Sequence, residues 1–394
     1  MTARALDVIV LGASPTGLYA VRELAKADLA VAVADVAEGC AFSSRHVAGG
    51  HRSFVGDLQA IERWLLGMPG ASGNRPVLLP TSDLFIEFLL ERRERLAAGF
   101  AFADCHQGLA TELLDKSLFH ALCGRHGMPT PGVWPAEDSA GLLALAGRVP
   151  YPCILKPMLI HRARGFLKGK KVLIARDQGE FEAHARQVPT ESGGWLVQEV
   201  ITGPESDITL FAGYVGRDGR LQQAFTARKL RQYPPGFGSA SLVLSAPCVE
   251  TLSLTEEFLG RIGFRGVCGA EFKRDPRDGR LKIIEINPRP TLWFQVSHDS
   301  GKRVVEAAVR DLAGGGVAAD PAQAETVLWR YGLKDLASAA FYARRPAGFI
   351  LPAPDVSPAR VATQRSWPVF AGGDPRPALS EPAGYLRKAR NRWS

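Results

Sequence analysis

Long apolar runs are absent from this chain. None approaches the roughly twenty residues that a membrane span requires, and the first residues show no basic stretch leading into an apolar core and cleavage site. No membrane span is therefore expected, and the cytoplasm is the expected compartment. Cysteine is scarce: six residues, at positions 40, 105, 123, 153, 248 and 268, include no C-x-x-C pair, and with eight scattered histidines they give no zinc spacing. Reduced, mostly buried thiols are expected, not a disulfide framework or a structural metal. The net charge is +8, yet arginine is dispersed and no aromatic-basic repeat of a nucleic-acid module occurs, so small anionic molecules suffice as partners. Neither a Ser-His-Asp nor a Cys-His arrangement points to a protein nucleophile. Internal repeats and low-complexity tracts are missing as well.

What is present has the composition of an ordinary globular enzyme, 46% apolar and 22% charged, and a length of 394 residues that allows two or three domains. The amino-terminal stretch DVIVLGASPTGLYAVRELAKADLAVAVAD predicts strand, glycine-containing turn, helix and strand, with Asp35 ending the second strand. Gly12 and Gly17 match the outer glycines of a dinucleotide fingerprint, but the middle one is missing. Helix starts near residues 14–17 and 82–83 are either anion sites or plain serine and threonine caps.

Chemistry concentrates in residues 266–289, GVCGAEFKRDPRDGRLKIIEINPR. Two apolar runs, VCGAEF and LKIIEIN, flank the polar, glycine-containing stretch KRDPRDGR, which predicts two strands joined by a hairpin. Side chains two apart on a strand share a face, so Glu285 and Asn287 point the same way. If register brings Glu271 alongside, two carboxylates and an amide oxygen converge, a hard-oxygen set suited to Mg2+, with Mn2+ as the alternative. Unpaired carboxylates inside buried runs are costly and call for a cation. Arg289, after Asn-Pro, adds positive charge beside them.

The E-x-N-P-R ending with its upstream acid resembles the metal-binding end of the ATP-grasp superfamily, whose members use ATP to join a carboxylate to an amine or similar nucleophile. Further segments in family order strengthen the likeness. Leu113-Leu114-Asp115-Lys116 and the following SLFHALCGRHGMPTPG resemble the opening of such a domain, with Lys116 matching its first phosphate-binding lysine. In YPCILKP (151–157), Lys156 matches the second; otherwise a lysine closing a buried strand is a snorkelling side chain. WLVQEVITGPESDI (195–208) resembles the linker lying against adenine: Gln198 and Glu199 start the hinge, Ile201 covers the base, and Glu205 matches the acid that holds the ribose hydroxyls. Residues 161–172, HRARGFLKGKKV, stand where the family has a loop over the triphosphate; an exposed basic hairpin is the other reading.

The stretch ARKLRQYPPGFGSAS (227–241), with PTSD at 80–83 and EFKRDPRDGR at 271–280, is similar to the bacterial carboxylate-amine ligase branch, of the D-aspartate ligase type. Arg228, Lys229 and Arg231 are then candidates to neutralise an acyl phosphate or acceptor carboxylate. The resemblance implies an α/β (α+β) ATP-grasp fold behind a Rossmann-like amino-terminal domain. Expected divisions are 1–110 for that domain, 111–195 for the small ATP-grasp subdomain, 196–310 for the subdomain with the metal site, and 311–394 for a helical and irregular extension. The implied activity is ADP-forming carboxylate–amine ligation through an acyl phosphate, with ATP and Mg2+, small carboxylate and amine substrates including an amino acid, and a symmetric homodimer as the default assembly. A small-molecule kinase and a non-catalytic ATP-binding regulator remain alternatives.

Overall fold

The computed structural model describes residues 5–48, 52–68, 75–158, 166–167, 172–189, 193–344 and 348–381. Three sheets organise them. The first is parallel, in the order β3-β2-β1-β4, from β1 (Val8–Leu11), β2 (Val31–Asp35), β3 (Arg52–Ser53) and β4 (Val77–Pro80). β1 and β4 read as continuous apolar runs because helices cover both faces of such a sheet. Between β1 and the helix Pro15–Lys26 the chain turns at Gly12, with φ +119°, and a Cβ on Gly17 would lie 1.9 Å from the Gly12 carbonyl oxygen. Both outer glycines thus serve a tight turn. Asp35 stands where a dinucleotide fold keeps its ribose acid, but its carboxylate accepts from the Ala13 N–H at 2.6 Å and so closes this same turn.

A second, antiparallel sheet has the order β5-β8-β6-β7, from β5 (Val133–Ala136), β6 (Cys153–Pro157), β7 (Leu173–Ala175) and β8 (Trp195–Glu199). The helices Ser139–Leu145 and Gln178–Gln187 share its apolar core. The third sheet runs β13-β12-β9-β10-β11-β14-β15, from β9 (Ile208–Val215), β10 (Leu221–Tyr233), β11 (Ser239–Ser245), β12 (Gly266–Arg274), β13 (Leu281–Asn287), β14 (Val327–Arg330) and β15 (Gln364–Ser366). Its last two strands correct the expectation of a helical and irregular extension after residue 310. β14 pairs antiparallel with β11 and β15 parallel with β14, so this part of the chain completes the largest sheet. Strands of four and three residues carry too little alternation to be seen in an Ala-, Pro- and Arg-rich stretch.

One core joins the first sheet to the third, with Val8, Val31 and Leu18 packed in the same cluster as Leu210, Trp293 and Val305. Polar ties reinforce it. Glu23, on the first helix, accepts from the N–H groups of Val305 and Glu306 at 2.9 and 3.0 Å and so caps the helix Val304–Leu312. Arg22 donates to Asp374 Oδ2 at 3.0 Å and to the carbonyls of Val369 and Asp374. All six cysteines are free, and among the described residues no helix is long and apolar enough to cross a membrane.

Arg22 and Asp374 are only 6% and 2% exposed, so removing one leaves the other as an uncompensated buried charge. Arg22→Met is expected to cost about 3 kcal/mol, read as an earlier unfolding transition in urea by tryptophan fluorescence.

Candidate active site

Two adjoining cavities, of about 350 and 660 Å3, lie among the second sheet, the third sheet and the first helix. Both are lined by Lys116, Lys156, Glu271, Glu285 and Asn287, which mark their junction. The smaller has the apolar walls Ile154, Val200, Ile201, Ile286 and Leu351. The larger extends to Thr16, Arg289 and Trp293.

The junction is built on β12 and β13. Apolar pairs fix their register, with Ala270 opposite Ile286 and Phe272 opposite Ile283, all buried. That register sets Glu271 directly opposite Glu285 and Gly269 opposite Asn287, with an irregularity after Glu271. Two like charges facing one another across a ladder repel. Burial first, and then the Glu285 carboxylate, push the Glu271 carboxyl above the usual range, while Lys229, paired with it, acts the other way. Asn287 Nδ2 donates to Glu285 Oε1 at 3.1 Å, and Arg289 donates to Asn287 Oδ1 at 3.2 Å and to Asp83 Oδ1 at 2.7 Å. Among the described residues no three His, Cys, Asp or Glu side chains are placed to hold a metal ion, and the oxygens gathered at this junction are those of two carboxylates and one amide. Hard oxygen donors with a carboxylate pair held in mutual repulsion fit a divalent cation of the Mg2+ type.

The two lysines arrive from different elements. Lys116 is the first residue of the helix Lys116–Arg125, whose N-cap Asp115 accepts from Ser117 and Leu118 N–H at 2.8 and 2.9 Å. Lys156, the penultimate residue of β6, donates to Gln198 Oε1 on β8 at 2.7 Å, which occupies the Gln198 side-chain oxygen. Burial, and then the positive charge of Lys116, pull the Lys156 pKa down to about 7, against the raising effect of Glu285. Burial and these same two cations pull nearby His120 down to about 4. Positive charge is concentrated here beyond what the protein itself balances.

Gln198, Glu199 and Ile201 all line the smaller cavity. The Glu199 carboxylate turns away, accepting from Gly132 N–H at 2.9 Å and pairing with Arg277 at 2.6 Å. Lys273 escapes sequence reasoning because the apolar run ends at Phe272 and leaves it in the turn, whereas β12 continues to Arg274. It lines the cavity and donates to the carbonyls of Ile201 and Gly203 at 2.9 and 2.8 Å, fixing the segment after β8. Burial brings its pKa down to about 8. Leu351 escapes too, since nothing in the local sequence links it to Val200 and Ile201, so much earlier in the chain.

Four expected residues, Glu205, Arg228, Lys229 and Arg231, line neither cavity. Glu205, expected to hold ribose hydroxyls, is fully buried. It accepts from Gln232 N–H at 3.0 Å, from Gly236 N–H and from the Tyr342 hydroxyl at 2.6 Å, so both oxygens are consumed in holding the 232–236 turn. Arg228 donates to the Ser206 carbonyl at 3.2 Å. Arg231 makes a two-point pair with buried Asp335, at 2.8 Å each, beside a separate cavity. Of the three cations on β10 only Lys229 reaches the site, through Glu271. A strict two-residue period would put Lys229 and Arg231 on one face, but the ladder slips between them and separates the two side chains. Arg162, Arg164, Lys168, Lys170 and Lys171, the cations of the stretch expected over a triphosphate, lie outside the described residues.

No family model matches the chain. It is similar to D-aspartate ligase from Enterococcus faecium (strain Aus0004), 24% identical over 223 residues, which are 54% of this chain and 53% of that protein. A 90-residue stretch is 31% identical to the carbamoyl phosphate synthase large chain of Thermus thermophilus, covering 23% of this chain and 8% of that one. The chain thus spans about half the length of the ligase it matches, and far less of the synthase. Among solved structures it is similar to N5-carboxyaminoimidazole synthetase from Staphylococcus aureus complexed with ADP, with TM-score 0.63, 14% identity, and coverage of 82% of this chain and 81% of that one. It is also similar to the biotin carboxylase domain of the Hydrogenobacter thermophilus 2-oxoglutarate carboxylase, with TM-score 0.61, 17% identity, and coverage of 82% and 74%. With its parallel amino-terminal sheet, the four-stranded sheet carrying Lys156 and the large sheet carrying Glu271, Glu285 and Asn287, this chain has the ATP-grasp fold.

Proposed function

We propose that the protein is an ATP-dependent carboxylate–amine ligase that forms ADP and phosphate. The observation that carries this reading is the Glu271–Glu285 pair with Asn287, set where the two cavities meet and where Lys116 and Lys156 line both. The apolar part of the smaller cavity's wall is suited to adenine, with Ile154, Val200 and Ile201 against the base and the segment beside Gln198 and Glu199 as the hinge. The similarity to a D-aspartate ligase supports an amino acid as one substrate.

Glu271, Glu285 and Asn287 would hold Mg2+, or Mn2+ with the same oxygen preference, and that ion would supply neutralisation of phosphate charge. Lys116 and Lys156 place ammonium groups where the triphosphate would meet the substrate. Arg289, held by Asp83 and Asn287, faces the larger cavity, where its charge suits a carboxylate. In the first step a substrate carboxylate oxygen bonds to the γ-phosphorus as the bond to the bridging oxygen breaks, and ADP leaves. In the second, an amine nitrogen bonds to the acyl carbon, the carbon–oxygen bond to phosphate breaks, and the amine loses a proton. No protein nucleophile is needed. A symmetric dimer is the proposed assembly.

Incubation with ATP, Mg2+, pooled amino acids and hydroxylamine tests the reading. ADP, phosphate and a hydroxamate together are the expected products; a stable phosphorylated acceptor would make the protein a kinase, and AMP would contradict the mechanism. In Glu285→Ala, ADP formation is expected to fall by at least about two orders of magnitude, at or beyond the 10–100-fold loss typical of removing a residue that only supports a metal ligand. Unchanged turnover with a native circular dichroism spectrum would overturn the metal assignment. Lys156, with its pKa lowered to about 7, is mostly neutral at pH 8, and a triphosphate beside it would raise that pKa again. Nucleotide binding should then take up a fraction of a proton near pH 8 and none near pH 5.5, where Lys156 is already protonated. Calorimetry in buffers of different ionisation enthalpy measures this uptake, and Lys156→Met should abolish it.

A further inference from the structure

A cavity of about 410 Å3 lies apart from the cleft, at the other end of the first helix. Thr16 in that helix's first turn reaches the cleft, whereas Lys26 at its end lines this cavity. The same holds for the segment after β13: Trp293 faces the cleft, and Gln295 and Asp299 face here. The opposite wall is the 364–374 segment, tied down by the buried Arg22–Asp374 network, to which Ser44 also donates at 2.7 Å.

Two polar atoms on these walls are buried without a hydrogen-bond partner among the described residues, Gln295 Oε1 and Ser366 Oγ, and their residues are 8% and 2% exposed. Such atoms call for a partner, which water or a bound molecule can supply. Around them the chemistry is divided. Gln295 Nε2 donates to Asp299 at 2.9 Å, so this end presents a carboxylate and an amide oxygen that both accept. Lys26, whose ammonium also meets His298 Nε2 at 3.0 Å, and Arg365, which also lines the cavity beside Arg231, supply positive charge. The surrounding charges of Arg45, Arg22 and Lys26, after burial itself, hold the His46 imidazole below its usual 6.5, with Asp374 acting the other way. Trp367 and Phe370, edge to face at 6.0 Å and 41% and 53% exposed, offer an apolar wall.

A simple anion would leave Gln295 Oε1 unpaired and meet Asp299; a simple cation would meet Lys26 and Arg365. A molecule carrying both charges satisfies each end. We propose that this cavity binds a free α-amino acid with an aromatic or large apolar side chain, its ammonium group toward Gln295 and Asp299, its carboxylate toward Lys26 and Arg365, and its side chain on Trp367 and Phe370. The inference rests on this cavity's residues and not on the reading of the cleft.

Calorimetric titration of the full chain, without nucleotide, tests it with L-phenylalanine, D-phenylalanine and L-leucine. Phenethylamine and 3-phenylpropionate, each lacking one charged end, serve as controls. At least one amino acid is expected to bind, with both controls weaker by about tenfold or more. Ser366→Val and Arg365→Ala should each weaken binding, while Arg289→Ala, in the cleft, should leave it unchanged. Arg365 is exposed, so its variant keeps the test available if Ser366→Val fails to fold in a thermal melt. No binding by any of the three up to about 10 mM, controls equal to the amino acids, or binding lost in Arg289→Ala and kept in Arg365→Ala would each overturn the proposal.

Discussion

The site depends on the register of one hairpin. Ala270, Phe272, Ile283 and Ile286 must all stay buried, and a one-residue slip would turn that set to the opposite face. The register that meets the hydrophobic requirement here makes Glu271 and Glu285 confront each other. At a separation of about 5 Å and an effective dielectric of about 20, two such charges repel by about 3 kcal/mol. Lys229 offsets part of that within the protein. The core therefore holds in place a carboxylate pair that would not assemble by its own attraction, with Lys229 as the cation set directly against it.

The complementary imbalance lies a few residues away. Lys156 and Lys273 are kept where burial lowers their pKa, and His120 is held neutral among cations. An anion entering this region meets donors already in place, with little reorganisation to be made at the moment of binding. Lys273 differs from the others, because both of its hydrogen bonds end on backbone carbonyls; it acts on the shape of the segment beside β8 more than on a passing charge.

What could be read in the sequence was local. The hairpin, the face shared by Glu285 and Asn287, and the lysine closing a short apolar strand all follow from periodicity over a few residues, and the structure brings Lys116, Lys156, Gln198, Glu199, Ile201, Glu271, Glu285, Asn287 and Arg289 to the walls of one cleft. What could not be read was set by distant partners. Glu205 is claimed by Tyr342 and Arg231 by Asp335, more than a hundred residues away in each case, and no nearby signal announces either. The slip in β10 that parts Lys229 from Arg231 is likewise a property of its neighbouring strand and not of its own composition.

The cleft is also discontinuous in the chain. Its carboxylates are in β12 and β13, but Leu351 closes part of the apolar wall, and Tyr342 secures the turn held by Glu205. During synthesis the hairpin emerges first, and the wall can close only after residue 351 has left the ribosome. The order of translation therefore delays a finished cleft until residue 351 has been made, and a chain that stops short of it leaves the apolar wall open.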